Sequence, residues 1–184
     1  MPKAKVNALV MQSGGNTAVI NRSLFGVVSE ALANKVPGKV YGAVHGLDGL
    51  LADELLDLDK YSAARWKAIA RTPGAALGST RRKLEPEDVP AVLQVLSSRG
   101  MGQVHIIGGN DSAETGHAIS LRSRASGYDL TVMLVPKTID NDLAVTDHSP
   151  GYGSAARFVA LATMGAGRDA EAMRHASPIT VIEV

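Results

Sequence analysis

Val6-Asn7-Ala8-Leu9-Val10-Met11 is a compact apolar run, and Gln12-Ser13-Gly14-Gly15-Asn16 stops it. A short apolar run halted by glycines reads as a buried strand entering a tight turn. The spacing of Val19, Leu24, Val27, Val28, Ala31 and Leu32 predicts a helix over Ala18–Asn34, and Pro37-Gly38 breaks it. The same alternation continues down the chain. Lys39–Val44 reads as a second strand, Gly46–Leu51 as a turn into a short helical piece, and Tyr61–Arg71 as a helix. Thr72-Pro73-Gly74 opens a loop running to Lys83, and Glu85–Arg99 has helical character with Pro86 at a tolerated early position. A third strand, Val104–Ile107, meets Gly108-Gly109. A helix follows over Ser112–Ala125, then a fourth strand over Leu130–Val135, ending at Pro136. The last elements expected are a long helix over Ser154–Arg174 and a strand over Ile179–Val184. Strand and helix in alternation predict an α/β fold: a three-layer αβα domain with a mostly parallel sheet covered on both faces.

Composition supports that class. The 184 residues are 45% hydrophobic and 20% charged, the balance of a soluble globular protein. Aromatics are only 4%, so Val, Leu, Ile and Ala must build the core. The formal charge of +1, with no long basic run, argues against a nucleic-acid partner, although Arg81-Arg82-Lys83 could meet a small phosphate. With no cysteine there is no disulfide framework or thiolate metal site. No apolar stretch approaches the roughly 20 residues of a membrane span, and Val6–Met11 is too short for a signal-peptide core, so a cytoplasmic protein is expected.

In open α/β sheets ligands bind beyond the carboxyl ends of the strands, so chemistry is sought there. After the first strand, Gly14 and Gly15 would let backbone amides approach an anion beside a helix N-terminus; a plain tight turn is the alternative. No Gly-Lys-Ser/Thr follows, so this is not a Walker loop. After the third strand, Gly108 and Gly109 expose amides, and Asn110, Asp111 and Ser112 offer oxygens of the kind Mg²⁺ prefers; an ordinary helix N-cap is the alternative. After the fourth strand, Lys137, Thr138, Asp140 and Asp142 crowd into one short turn. A lysine there can neutralise a transferring phosphate, and a carboxylate can act as general base. The alternative is a solvated charged loop. Gly151–Ala156 does not follow a strand directly, so a dinucleotide loop is rejected; the five histidines lack metal-ligand spacing, and Trp66 reads as a core or interface residue.

Taken in this order, the three strand ends resemble the phosphofructokinase family. Pro136-Lys137-Thr138-Ile139-Asp140-Asn141-Asp142 is the most specific piece, and Thr146–Ala156 is similar to the family as well. Gln12–Asn21 resembles its first phosphate loop, and Leu77–Arg81 the segment carrying a phosphate-binding arginine. The resemblance implies transfer of a phosphoryl group to the 1-hydroxyl of fructose 6-phosphate, a step of glycolysis. Asp140 would be the general base, Asp142 its assistant, and Thr138 a contact to sugar or transferred phosphate. Gly14, Gly15, Arg81, Gly108, Gly109, Asp111 and Ser112 would hold the donor phosphates, and Asn110 with Asp111 the Mg²⁺. It further implies a homo-oligomer, or a complementary chain supplying a missing half. Members using ATP commonly carry glycine at the positions of Asp111 and Lys137, and often a tyrosine at that of Leu47. Aspartate and lysine point to pyrophosphate as the donor, with ATP the alternative.

Several positions depart from the family pattern. Asn110 stands in place of the usual metal-binding aspartate, and Asn16 and Ala18 replace a proline-bearing loop. Phe25 and Ser29 replace effector-binding arginines while Lys60 keeps a positive charge, so little regulation by nucleotides is expected. Family members also continue well past Val184. The expected division is therefore a donor-binding domain over residues 1–150, and a connecting helix with the first strand of a second, sugar-phosphate domain over 151–184. A non-catalytic phosphate-binding or interaction subunit is the reading from another class.

Overall fold

The computed structural model describes residues 6–34 and 38–183. Strand β1 (Asn7–Gln12) is followed by helix α1 (Ile20–Asn34), β2 (Val40–Ala43), the short α2 (Leu47–Leu51) and β3 (Leu55–Asp57). Then come α3 (Ala63–Ile69), α4 (Val89–Ser98), β4 (Met101–Gly108), α5 (Asn110–Ala125), β5 (Thr131–Pro136) and α6 (Tyr152–Ala172), with 3₁₀ turns at Leu58–Lys60 and Pro86–Asp88. The expected break at Pro37 and the far N-terminal residues lie outside the described residues.

The five strands form one sheet in the order β3-β2-β1-β4-β5, parallel except for β3, which runs antiparallel beside β2. Side chains alternate across β1. Leu9 and Met11 join a core with Leu50, Val92, Leu96, Ile106 and Ile119 on one face of the sheet. Val10 joins Ile20, Leu24, Val28, Leu58 and Trp66 on the other. Strand β1 is buried on both faces, which is why it reads as a continuous apolar run. Leu24 and Ile20 are fully buried, each contributing about 1.5–3 kcal/mol of transfer free energy. Trp66, 5% exposed, is thereby a core residue.

Two elements differ from expectation. Leu55–Asp57 forms an edge strand that its short sequence does not announce; Lys39 Nζ meets Asp57 Oδ2 at 3.1 Å across the pair. The strand expected at Ile179–Val184 is absent over 178–183, because no described strand offers it a ladder, and Ile179 and Val181 stand 81% and 86% exposed. Helix α6 also buries none of its residues, leaving Phe158, Leu161 and Met164 exposed.

The sheet order fixes where a ligand can sit. From β1 the chain crosses to β2 on one side and later to β4 on the other. The loops after β1 and β4 therefore diverge and leave a crevice at the carboxyl ends of the strands.

Candidate functional site

That crevice holds a cavity of about 570 Å³, lined from four separate segments: Ser13–Thr17 after β1, Thr80–Arg82, Gly109–Ser112 with Thr115 on α5, and Lys137–Asp140 with Asp142 after β5. Its size is in the range of small-molecule sites. It brings together Gly14, Gly15, Arg81, Gly109, Asn110, Asp111, Ser112, Lys137, Thr138, Asp140 and Asp142. Gly108 is left out: it is buried behind the cavity, its carbonyl accepts the Lys137 N–H at 3.0 Å, and a Cβ there would strike Ser112 Oγ at 2.1 Å. Its glycine serves packing between β4 and α5.

Lys137 sits at the centre of the positive wall. It is 3% exposed, and its Nζ donates to the Gly15 carbonyl at 2.6 Å. A Cβ at Gly14, where φ is +79°, would come within 3.4 Å of that ammonium. Burial, with the Arg81 charge adding to it, pushes the Lys137 pKa below its ordinary value, while Asp140 opposes the shift. Arg81 lies beside the same loop, its guanidinium 3.7 Å from where a Gly15 Cβ would be. No described carboxylate forms an ion pair with Arg81, whereas Arg82 is held by Asp88 at 2.8 Å and Asp48 at 3.5 Å.

The amide of Gly14 is not free for an anion, contrary to the sequence expectation, because it donates to the Thr80 carbonyl at 2.9 Å. Ser79 Oγ returns a hydrogen bond to the Gly14 carbonyl at 2.6 Å. Gly14 thus joins two loops and opens room for Lys137, while Gly15 beside it lines the cavity.

At that N-terminus Gly109 takes the cap position with no side-chain cap bond, so the N-cap reading of Asn110, Asp111 and Ser112 does not hold. Asn110 Nδ2 instead donates to Asp142 Oδ2 at 2.9 Å, tying the loop after β4 to the loop after β5. The Asp111 carboxylate is 76% exposed and lies 3.9 Å from Lys83 Nζ. Among the described residues no cluster of three or more His, Cys, Asp or Glu forms a closed metal cage. The donor set fits Mg²⁺ nonetheless, since that ion keeps waters and needs only one or two carboxylates beside substrate phosphates. Asp111, the free oxygen of Asn110 and Asp142 could supply them.

Thr138 organises the carboxylate loop: its Oγ1 accepts the Asp140 N–H at 3.1 Å and lies 3.4 Å from Asp140 Oδ2. Asn141, at φ 54°, staples the rest, its amide donating to Asp147 O at 3.2 Å and its oxygen accepting from Ser149 N at 2.8 Å. Asparagine tolerates this left-handed backbone better than most residues. Arg82, named in the sequence only as part of a basic cluster, lines the cavity, while sequence reasoning missed the roles of Asn141 and Thr115; only the turn propensity of asparagine signalled the former. Leu47, weighed as a donor-contact position, is 2% exposed in the core and gives the cavity no surface.

The phosphofructokinase family profile matches residues 7–184. The chain is 46% identical over 176 residues to the pyrophosphate–fructose 6-phosphate 1-phosphotransferase of Xanthomonas campestris pv. campestris (93% of this chain, 42% of that protein). It is 43% identical over 173 residues to the enzyme of the same name from Rhodospirillum rubrum (94% and 42%). The crystal structure of pyrophosphate-dependent phosphofructokinase from Nitrosospira multiformis superposes with a TM-score of 0.89 at 37% identity, covering 94% of this chain and 44% of that one. The chain thus spans less than half the length of these relatives. On the family match over nearly its whole length, the chain belongs to the phosphofructokinase family.

Proposed function

We propose that the cavity is the donor site of a pyrophosphate-dependent phosphofructokinase, in which a phosphoryl group passes from pyrophosphate to the 1-hydroxyl of fructose 6-phosphate. The observation that carries this reading is the placement of Lys137 and Arg81 against the Gly14–Gly15 loop, with Asp140 and Asp142 in the same cavity. Two cations suit the phosphates of the donor, and a carboxylate suits the acceptor hydroxyl.

In this reading Asp140 takes the proton of the acceptor hydroxyl as that oxygen bonds to the transferred phosphorus. The bridging P–O bond breaks, and phosphate departs. Lys137 and Arg81 stabilise the negative charge that gathers on the leaving phosphate. Thr138 holds Asp140 in place and contacts the sugar or the transferred group, and Asp142, fixed by Asn110, assists. Gly15, Gly109 and Ser112 flank the phosphates. Mg²⁺ held by Asp111 and Asn110 would neutralise the donor's charge and fix its geometry. Pyrophosphate is favoured over ATP by the exposed Asp111 carboxylate at the cavity rim, which would crowd and repel the α-phosphate of a nucleotide, and by Lys137.

The division at 150/151 fits this scheme, with α6 beginning at Tyr152 as the connection towards a sugar-phosphate domain. Multiply charged substrates do not cross a bilayer unaided, which favours a cytoplasmic setting; no described helix is long and apolar enough to cross a membrane.

The test is an assay of the purified chain with fructose 6-phosphate, Mg²⁺ and either pyrophosphate or ATP, alongside calorimetric titration of each donor. Binding of Mg²⁺–pyrophosphate is expected, with ATP at least tenfold weaker. Turnover with ATP and not pyrophosphate would overturn the donor assignment. Binding of pyrophosphate without turnover would favour the second reading, a phosphate-binding module.

A further inference from the structure

The segment from Thr72 to Arg81 contains neither helix nor strand, yet it delivers the arginine to the cavity. Its backbone groups must find partners elsewhere. Two buried amide side chains provide them. Gln12, at the end of β1, is fully buried, and Asn21, in the first turn of α1, is 2% exposed. Gln12 Nε2 donates to Asn21 Oδ1 at 3.1 Å, and that oxygen also accepts the Ala76 N–H at 2.8 Å. Asn21 Nδ2 donates to the Thr72 carbonyl at 2.9 Å, and Gln12 Oε1 accepts the Leu77 N–H at 2.9 Å. The far end of the segment is tied separately, through Gly14 N–H to Thr80 O.

We infer that the Gln12–Asn21 pair is a positioning device: it sets the path of the Thr72–Leu77 backbone and thereby the seat of Arg81 beside Gly15. The physical reason is directional. A buried amide costs free energy unless its donors and acceptors are met, and here they are met by one path of the loop. An apolar pair of the same volume would fill the space but accept several loop paths. Neither side chain lines the cavity, so the pair touches no ligand and acts only through Arg81. This inference rests on the proposed function for its ligand, pyrophosphate, and not for its mechanics.

The experiment combines hydrogen exchange with a double-mutant cycle on the whole chain. In Asn21→Ala, the Ala76 and Leu77 amides are expected to lose protection at least tenfold while those of β1 and β4 keep theirs. Affinity for Mg²⁺–pyrophosphate, by calorimetry, falls about tenfold. Arg81→Met costs the wild type about tenfold or more in affinity, but costs little once Asn21 is Ala, because the arginine is already unseated. Asn21→Asp keeps the acceptor for Ala76 and so restores that amide's protection in part. If Asn21→Ala does not fold, Gln12→Glu takes its place in the cycle: it keeps the Leu77 acceptor and loses the donor to Asn21. Additive losses in affinity, or unchanged protection at Ala76 and Leu77, would overturn the inference. A wild type that does not bind pyrophosphate would overturn the donor reading instead, and the exchange pattern alone would then decide the positioning role.

Discussion

Lys137 keeps a cation out of water beside another cation, and this has two measurable results. The lowered pKa means that the folded chain holds this proton less tightly than the unfolded chain, whose lysine titrates near 10.5. Lys137 therefore subtracts from stability while pH is below its lowered value, and the penalty fades as pH rises towards 10.5. Lys137→Met removes the penalty, so its thermal midpoint at neutral pH should equal or exceed that of the wild type, while pyrophosphate affinity drops about tenfold or more. A bound anion favours the protonated lysine. Wild-type affinity should thus be greatest below the lowered pKa and weaken as pH climbs through it, a dependence the methionine variant should lose in calorimetry over an alkaline pH series. Gly78 gives a purely steric case. Its φ is +77°, and a Cβ would lie 2.4 Å from His45 Nδ1. Gly78→Ala should cost about 1–3 kcal/mol in urea unfolding, from backbone strain and overpacking together.

At the scale of elements, the four parallel strands were legible because each is a short apolar run ended by glycine, proline or polar turn residues, and the helices because their apolar residues recur at helical spacing. Leu55–Asp57 was not, since three residues are too few to show alternation and the pairing comes from β2. Residues 179–183 have strand-like composition, but a strand needs a neighbour, and propensity alone does not supply one. In the site, the charged turn Lys137–Asp142 announced itself by density, whereas the roles of Gly14, Gly108 and Asn110 depend on which atoms lie opposite them, which spacing does not encode. Helix glycines make the same distinction testable. A Cβ at Gly49 in α2 would fall 1.7 Å from the Val44 carbonyl, while one at Gly26 in α1 would meet nothing within 4 Å. Gly49→Ala should lose about 3 kcal/mol or more, and Gly26→Ala should gain up to about 1 kcal/mol, both read by chemical denaturation.

Across the whole molecule, apolar surface is unevenly distributed: β1 is buried on both faces, yet Met133 and Leu134 of β5 stand 36% and 37% exposed, and Phe158, Leu161 and Met164 of α6 72%, 58% and 59%. Such a surface should bind an apolar fluorescent dye. The double variant Phe158→Ser, Leu161→Gln should lower that fluorescence without lowering the thermal midpoint, because neither side chain is buried. The cavity has a consequence of another kind. Its walls come from segments as far apart in the chain as Ser13 and Asp142, and they meet only when β1 lies between β2 and β4. Long-range pairings of this sort are slow steps in chain collapse, since loop closure must precede the contacts that reward it. Recovery of pyrophosphate binding after dilution from denaturant should therefore lag behind the return of helical signal, so that the ligand serves as a clock for the last stage of assembly.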